Sequence, residues 1–247
     1  MTDLYPEPPH LSAFIAPGLD RSEALVAAWD VLTAAGCVFT GKFLVARGQE
    51  WFQYVSDVDR EVIRHDGSPR DLLASRQVLR IEFRHRSMGI VVLGLSSAVE
   101  HGEPHPLEVA IHAGPFSLPD EMWSPSDRRA AKRVMGWMER LLLALTEPVQ
   151  AQYGAIGIEA VFPTPVSLAR AQRSVLWPST WFWSSELGSR AESAEEDLLS
   201  SLRPGAVTRS REGTLFRAWR PWAEPRVDEP GLGLVLAFLG RVVRAPR

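Results

Sequence analysis

Three histidines and two glutamates lie close together in the chain, at a spacing that could form a metal site. They are His101, Glu103, His105, Glu108 and His112. On a helix, two histidines four residues apart present both imidazoles on one face, as zinc hydrolases require. Gly102 and Pro104 make the stretch between them a loop, so the spacing has no such geometric meaning. The sequence predicts no bound metal.

Three other patterns suggest catalytic or cofactor chemistry, and each fails. Gly94, Ser96 and Ala98 follow a strand like a nucleophile elbow, but the sequence EHGEPHP cannot supply the helix that must come next. Cys37 has no neighbouring base and fits a buried small hydrophobe. No phosphate-binding glycine motif is present. We therefore predict no catalytic residue and no cofactor.

Composition narrows the class of partner. The net charge is −3, and 45% of the residues are hydrophobic, which is the ordinary range for a globular protein. Arginines interleave with aromatic residues between positions 209 and 226, a pattern that can bind nucleic acid, but nearby glutamates and aspartates dilute the charge. No apolar run approaches the length of a membrane span, and no secretory signal opens the chain. We expect a cytoplasmic protein with no nucleic-acid or membrane partner.

The elements that would position any site are those of an α+β protein. Residues 37–46, 78–86, 90–97 and 107–114 read as strands, the last three as an antiparallel meander. Further strands are predicted at 155–162, 206–210 and 214–219, the last two as a hairpin that turns at Glu212 and Gly213. Glu159 would lie in the first of these and point outward from a sheet with one solvated face.

Helix signals are clearest at Ser124, Pro125 and Asp127, which cap an amphipathic helix running to Glu147. We expect this helix to pack across a central, mostly antiparallel sheet. Shorter helices are predicted from Asp20 to near Gly36, over 49–64, from Ser68, from Thr164, and over 193–202. The proline-rich residues 1–19 are predicted to form an irregular arm, and residues 20–247 a single domain.

Tryptophan is concentrated in the last third of the chain. Five of the nine tryptophans lie there: Trp177, Trp181, Trp183, Trp219 and Trp222. Tryptophan is favoured both in cores and as an anchor of protein interfaces. Trp181 and Trp183 alternate with Phe182 as in a strand with one core face, while the serines around them suggest a surface position. Both interpretations stay open.

The order of features over residues 153–220 resembles that of bacterial immunity proteins, which protect a cell from a secreted toxin. The matching features are a strand from Gly157 to Phe162 that contains a glutamate, the step Pro163-Thr164-Pro165, the segment from Trp181 to Ser185, and the hairpin at Gly213. The resemblance implies a cytoplasmic α+β protein that binds a toxin domain and has no catalysis of its own.

The sequence therefore favours a non-catalytic protein-binding module, most concretely an immunity protein, with the five tryptophans as candidate partner-binding residues. Its oligomeric state cannot be read from the sequence. The alternative is an enzyme or a small-molecule-binding protein with a pocket between the central sheet and the 125–147 helix. In that case Glu82, Glu159 or His112 would supply the polar groups.

Overall fold

The fold is built on one ten-stranded sheet in which every neighbouring pair is antiparallel. The structure is a computed structural model. It describes residues 4–46, 60–65, 70–71, 73, 78–95, 105–117, 123–169, 178–220 and 227–243. The strand order is β3-β2-β4-β5-β6-β1-β7-β8-β10-β9. The predicted α+β class and the mostly antiparallel sheet are confirmed.

The ten strands follow the alternation of apolar and polar residues along the chain. They are β1 His10–Ala16, β2 Cys37–Ala46, β3 Arg60–Arg64, β4 Val78–His85, β5 Gly89–Leu95, β6 Leu107–His112, β7 Tyr153–Ile158, β8 Thr180–Ser184, β9 Val207–Arg209 and β10 Gly213–Arg217. The predicted meander is confirmed as β4, β5 and β6. The predicted hairpin is confirmed as β9 and β10.

Six helices complete the described part of the chain, together with a 3-10 turn at Gly114–Ser117. They are α1 Arg21–Ala34, α2 Pro125–Thr146, α3 Pro165–Ala169, α4 Ser185–Ser189, α5 Glu192–Ser201 and α6 Glu229–Val242. The predicted caps of α1 and α2 are present, whereas Ser68 lies outside the described residues. Asp20 accepts the Glu23 amide at the start of α1, and Ser124 and Asp127 form a reciprocal capping box at the start of α2.

The two faces of the sheet are covered by different helices. Helices α1 and α2 pack on one face, where Leu11, Phe83 and Leu93 meet the apolar stripe of α2 in the larger core. Helices α5 and α6 lie on the other face, over the strands of the C-terminal half only, where Trp183 and Phe216 form a second core. Because side chains of a strand alternate between faces, one sheet serves both cores.

Three predictions of secondary structure were wrong in part. Residues 10–16 do not belong to an irregular arm but form β1, which lies between β6 and β7 in the interior of the sheet. Residues 60–64, predicted as the end of a helix, form the strand β3, and the remainder of that prediction lies outside the described residues. Strand β7 ends at Ile158, so Glu159 is not a strand residue.

Candidate functional site

One face of the N-terminal half of the sheet is not covered by any helix in the described part of the chain. We call it the open face, and it comprises the side chains of β2 to β6 that point away from α1 and α2. They are Val38, Thr40, Lys42, Leu44, Arg60, Val62, Arg64, Arg80, Glu82, Arg84, Ile90, Val92, Glu108, Ala110 and His112. This assignment follows from register, since Ile63, Phe83 and Ile111 alternate with them into the larger core.

A short segment ahead of β1 crosses the middle of this face. Residues 4–9, which we call the strap, begin with Leu4, buried against Leu44 and Leu79. The Pro6 carbonyl accepts a hydrogen bond from His10 Nε2 (2.9 Å), and the Glu7 carbonyl accepts one from His112 Nδ1 (2.9 Å). The strap is thus held by its backbone and by its apolar first residue.

Tyr5 of the strap and Glu108 of β6 form the polar centre of the open face. The Glu108 carboxylate accepts hydrogen bonds from the Tyr5 hydroxyl and from Ser12 Oγ (2.7 Å). The Arg80 guanidinium lies 4.2 Å from the centre of the Tyr5 ring, within cation–π range. Burial, and next the neighbouring Glu108 charge, raise the pKa of Tyr5 above its ordinary value. The phenol therefore stays protonated and acts as a donor.

Gly94 makes room for this arrangement. It is paired with Arg80 on one side and with Glu108 on the other. A Cβ atom at Gly94 would lie 2.9 Å from Arg80 Cγ and 2.9 Å from the Leu79 carbonyl oxygen. The lack of a side chain therefore lets the Arg80 stem cross β5 towards the Tyr5 ring.

A bulge in β2 builds the second polar centre. Phe39 pairs with Phe83 and Phe43 with Ile81, so three residues of β2 oppose Glu82 alone. Gly41, in the middle, has φ +84°, a left-handed conformation that favours glycine. Thr40 Oγ1 and Lys42 Nζ lie 2.9 Å from Glu82 Oε1. Glu82 is thus buried, neutralised by a lysine and supplied with a hydrogen bond.

The outer end of the open face is basic and partly apolar. Val38 is 69% exposed and Val62 is 41% exposed. Arg64 is paired with Lys42, and Arg84 with Val38. We call Val38, Lys42, Val62, Arg64 and Arg84 the basic patch. Arg64 and Arg84 are exposed and make no ion pair or hydrogen bond within the described residues.

The structure corrects the expectation that Trp181 and Trp183 bind a partner at the surface. Both side chains are fully buried on β8 in the second core. Trp181 Nε1 donates to the Pro178 carbonyl oxygen (2.8 Å) and Trp183 Nε1 to Glu195 Oε1 (2.6 Å). Of the other candidates, Trp219 is half-buried. Trp177 and Trp222 lie outside the described residues.

The alternative pocket between the sheet and the long helix is also corrected, because the residues that meet there are apolar and belong to the larger core. Glu82 and His112 lie on the open face, away from α2. Glu159 lies beyond the end of β7, where its carboxylate accepts the His10 amide (2.5 Å) and lies 3.0 Å from His10 Nδ1. The sequence missed this contact because Glu159 adopts a left-handed φ of 47°, which ends the strand.

A cavity of about 390 Å³ does exist, but it lies between α1 and α2 rather than under α2. It is lined by Val31, Ala34, Ala35, Trp137, Arg140, Leu141 and Ala144. None of the polar groups named in the alternative reaches it. Its lining is apolar except for the Arg140 side chain, so it contains no acid–base pair.

The chemistry of the remaining candidates is limited. No group of three or more metal-ligating side chains exists among the residues that the structure describes. His101, Ser96 and Ala98 lie outside the described residues. Cys37 is buried, and its burial raises the thiol pKa to about 11, so the reactive thiolate is disfavoured at neutral pH. In the described helices, no segment is both long and apolar enough to cross a bilayer.

The comparisons with known proteins give a likeness in structure and no match in sequence. No family model matches the chain, and no curated protein matches it. Among solved structures, the T6SS protein PA0821 of Pseudomonas aeruginosa is similar over 96% of this chain and 77% of its own, with 11% sequence identity and a TM-score of 0.46. A likeness at that level says nothing about the function of this chain.

Proposed function

We propose that this chain is a non-catalytic protein-binding module, an immunity protein that neutralises a cognate toxin by direct binding. The observation that carries the proposal is the basic patch, where exposed valines lie among arginines that have no partner in the described part of the chain. Exposed aliphatic side chains beside unpaired arginines can serve as contacts of a protein interface, in which arginine is enriched.

The polar side chains of the open face support binding rather than reaction. Glu82 is engaged by Lys42 and Thr40, and Glu108 by Tyr5 and Ser12. A general base must reach a substrate proton, and a carboxylate that is already engaged by side chains of its own chain is less well placed to do so. These groups fix the shape of the face that a partner would meet.

Affinity purification of the tagged protein from its native host tests the proposal. The expected result is one polypeptide that co-purifies at a one-to-one ratio, measured by mass spectrometry of the intact complex. If that polypeptide is a toxin, adding the protein should abolish the toxin's activity at equimolar ratio. A protein that is isolated alone, or with only a small molecule bound, would contradict the proposal.

A further inference from the structure

We infer that the basic patch docks an acidic surface of a partner protein, with Val38 and Val62 covered by the partner's apolar side chains. The inference rests on the proposed function and specifies it. It names which face of the sheet meets the partner and what charge the partner presents there.

The charge distribution of the open face is the first argument. The side chains of this face on β2 to β6 include five bases, Lys42, Arg60, Arg64, Arg80 and Arg84, and two acids, Glu82 and Glu108. Glu82 is neutralised by Lys42 at 2.9 Å, and Glu108 accepts hydrogen bonds from Tyr5 and Ser12. The chain as a whole carries a net charge of −3, so the positive potential here is local. Complementary potentials across an interface steer association and select the partner.

The exposed valines are the second argument. Val38 lies beside Arg84, and Val62 is two residues from Arg64 on the neighbouring strand. Strands rise about 3.3 Å per residue, so Val38 and Val62 lie roughly 15 to 20 Å apart along the sheet. That span matches a protein epitope of ordinary size rather than the footprint of one small anion.

Two other occupants fit the patch less well. A second copy of the chain, docked by the same face, would bring one basic patch against the other, and like charges in contact disfavour association. Single-stranded nucleic acid binds through aromatic stacking as well as charge. The outward side chains of β2 to β5 include no aromatic residue in the described strands; the apolar ones are aliphatic, such as Val38 and Ile90. The Tyr5 ring of the strap is already in contact with Arg80.

Charge reversal with a matched control tests the inference. The patch variant is Arg64→Glu with Arg84→Glu. The control variant is Lys132→Glu with Arg133→Glu, which changes the net charge equally at two exposed positions on α2. Each protein is used to capture the polypeptide that co-purifies with the wild type, and the dissociation constant is measured at low and at moderate salt. Circular dichroism and urea unfolding confirm that both variants fold.

The expected result is a loss of affinity of about 30-fold or more in the patch variant, as for charge pairs at protein interfaces. The dissociation constant of the control variant should stay within about threefold of the wild-type value. Added salt should weaken the binding of the wild type more than that of the patch variant. Val38→Asp, at a 69% exposed position, should weaken binding without loss of stability. Equal affinity of patch variant and wild type would overturn the inference while leaving the proposed function intact.

If no polypeptide co-purifies with the wild type, the proposed function fails, and the patch is then tested with defined polymers. Poly-L-glutamate should bind the wild type and the control more tightly than the patch variant. The inference is overturned if poly-L-glutamate does not distinguish the variants, or if poly(U) RNA binds the patch more tightly than poly-L-glutamate does. Self-association lost in the patch variant alone would also overturn it, in favour of a second copy.

Discussion

The guanidinium of Arg217 on β10 donates two hydrogen bonds to the carboxylate of Glu139 on α2, from Nε to Oε1 (2.5 Å) and from Nη2 to Oε2 (2.9 Å). Both side chains are largely buried, at 17% and 13% exposure. Arg217 also donates to Thr208 Oγ1 on β9 (2.8 Å). This residue pair therefore ties the C-terminal hairpin to the long helix.

Glu139→Gln should lower the free energy of unfolding by about 2 kcal/mol, because it leaves a largely buried guanidinium without its counter-charge. The control is Glu186→Gln on α4, whose ion pair with Arg190 is exposed and should change stability by less than about 0.5 kcal/mol. Urea unfolding followed by circular dichroism measures both. Equal effects of the two substitutions would contradict the role given to Glu139.

Trp181→Ala and Trp183→Ala should each destabilise the fold by about 3 to 5 kcal/mol, since each leaves a cavity in the second core. Trp183→Ala also removes the donor to Glu195. Trp219→Ala, at a half-buried position, should cost less stability. Thermal unfolding gives the melting temperature of each of the three variants and so ranks their stability. A melting temperature unchanged in Trp181→Ala would show that the indole is not core.

Tyr5→Phe should lower the free energy of unfolding by about 1 kcal/mol at neutral pH, because Glu108 loses a hydrogen bond. The advantage of the wild type should then shrink as pH rises above about 10, the ordinary pKa of tyrosine. The folded pKa is raised, so the unfolded chain releases this proton first, and alkali favours unfolding. Urea unfolding of both proteins at neutral and alkaline pH gives the difference in their free energies of unfolding. A constant difference across that range would contradict the raised pKa.

Cys37 should react slowly with a thiol reagent in the folded protein at about pH 8, because its pKa is raised to about 11 and its side chain is buried. The matched control is Val38→Cys in a Cys37→Ala background, since position 38 is 69% exposed on the opposite face. Release of the chromophore from DTNB measures both rates. Comparable rates for the two cysteines would contradict the burial of Cys37.

Local signals predicted most of the elements correctly. The box of Ser124, Pro125 and Asp127 located the start of α2 because capping uses contacts within one turn of helix. The bounds of β2 were predicted despite Gly41, which the structure uses for the bulge opposite Glu82. Where hydrogen bonds and packing are local, the chain alone carries the information.

The errors fall into two groups: a strand whose pairing is not local, and a helix whose local signals were overlooked. The spacing of apolar residues at 49–64 suited a helix, yet β3 pairs with β2 across the chain. Helix α6 was missed because two glycines interrupt its apolar run, although Asp228 accepts the Gly231 amide and Pro230 occupies the first turn. The open face depends on register and on the uneven coverage by helices, and neither is visible in the sequence.

The position of β1 in the interior of the sheet affects how the protein folds during translation. One edge of β1 pairs with residues up to His112 and the other with residues up to Ile158. A ribosome delivers these strands long after β1 has emerged, and pairings this distant make folding slow. Until Ile158 is released, an apolar strand with at least one unpaired edge is exposed to other chains, which is a hazard for aggregation. The efficiency of biogenesis should therefore depend on whatever shields His10–Ala16 during that interval.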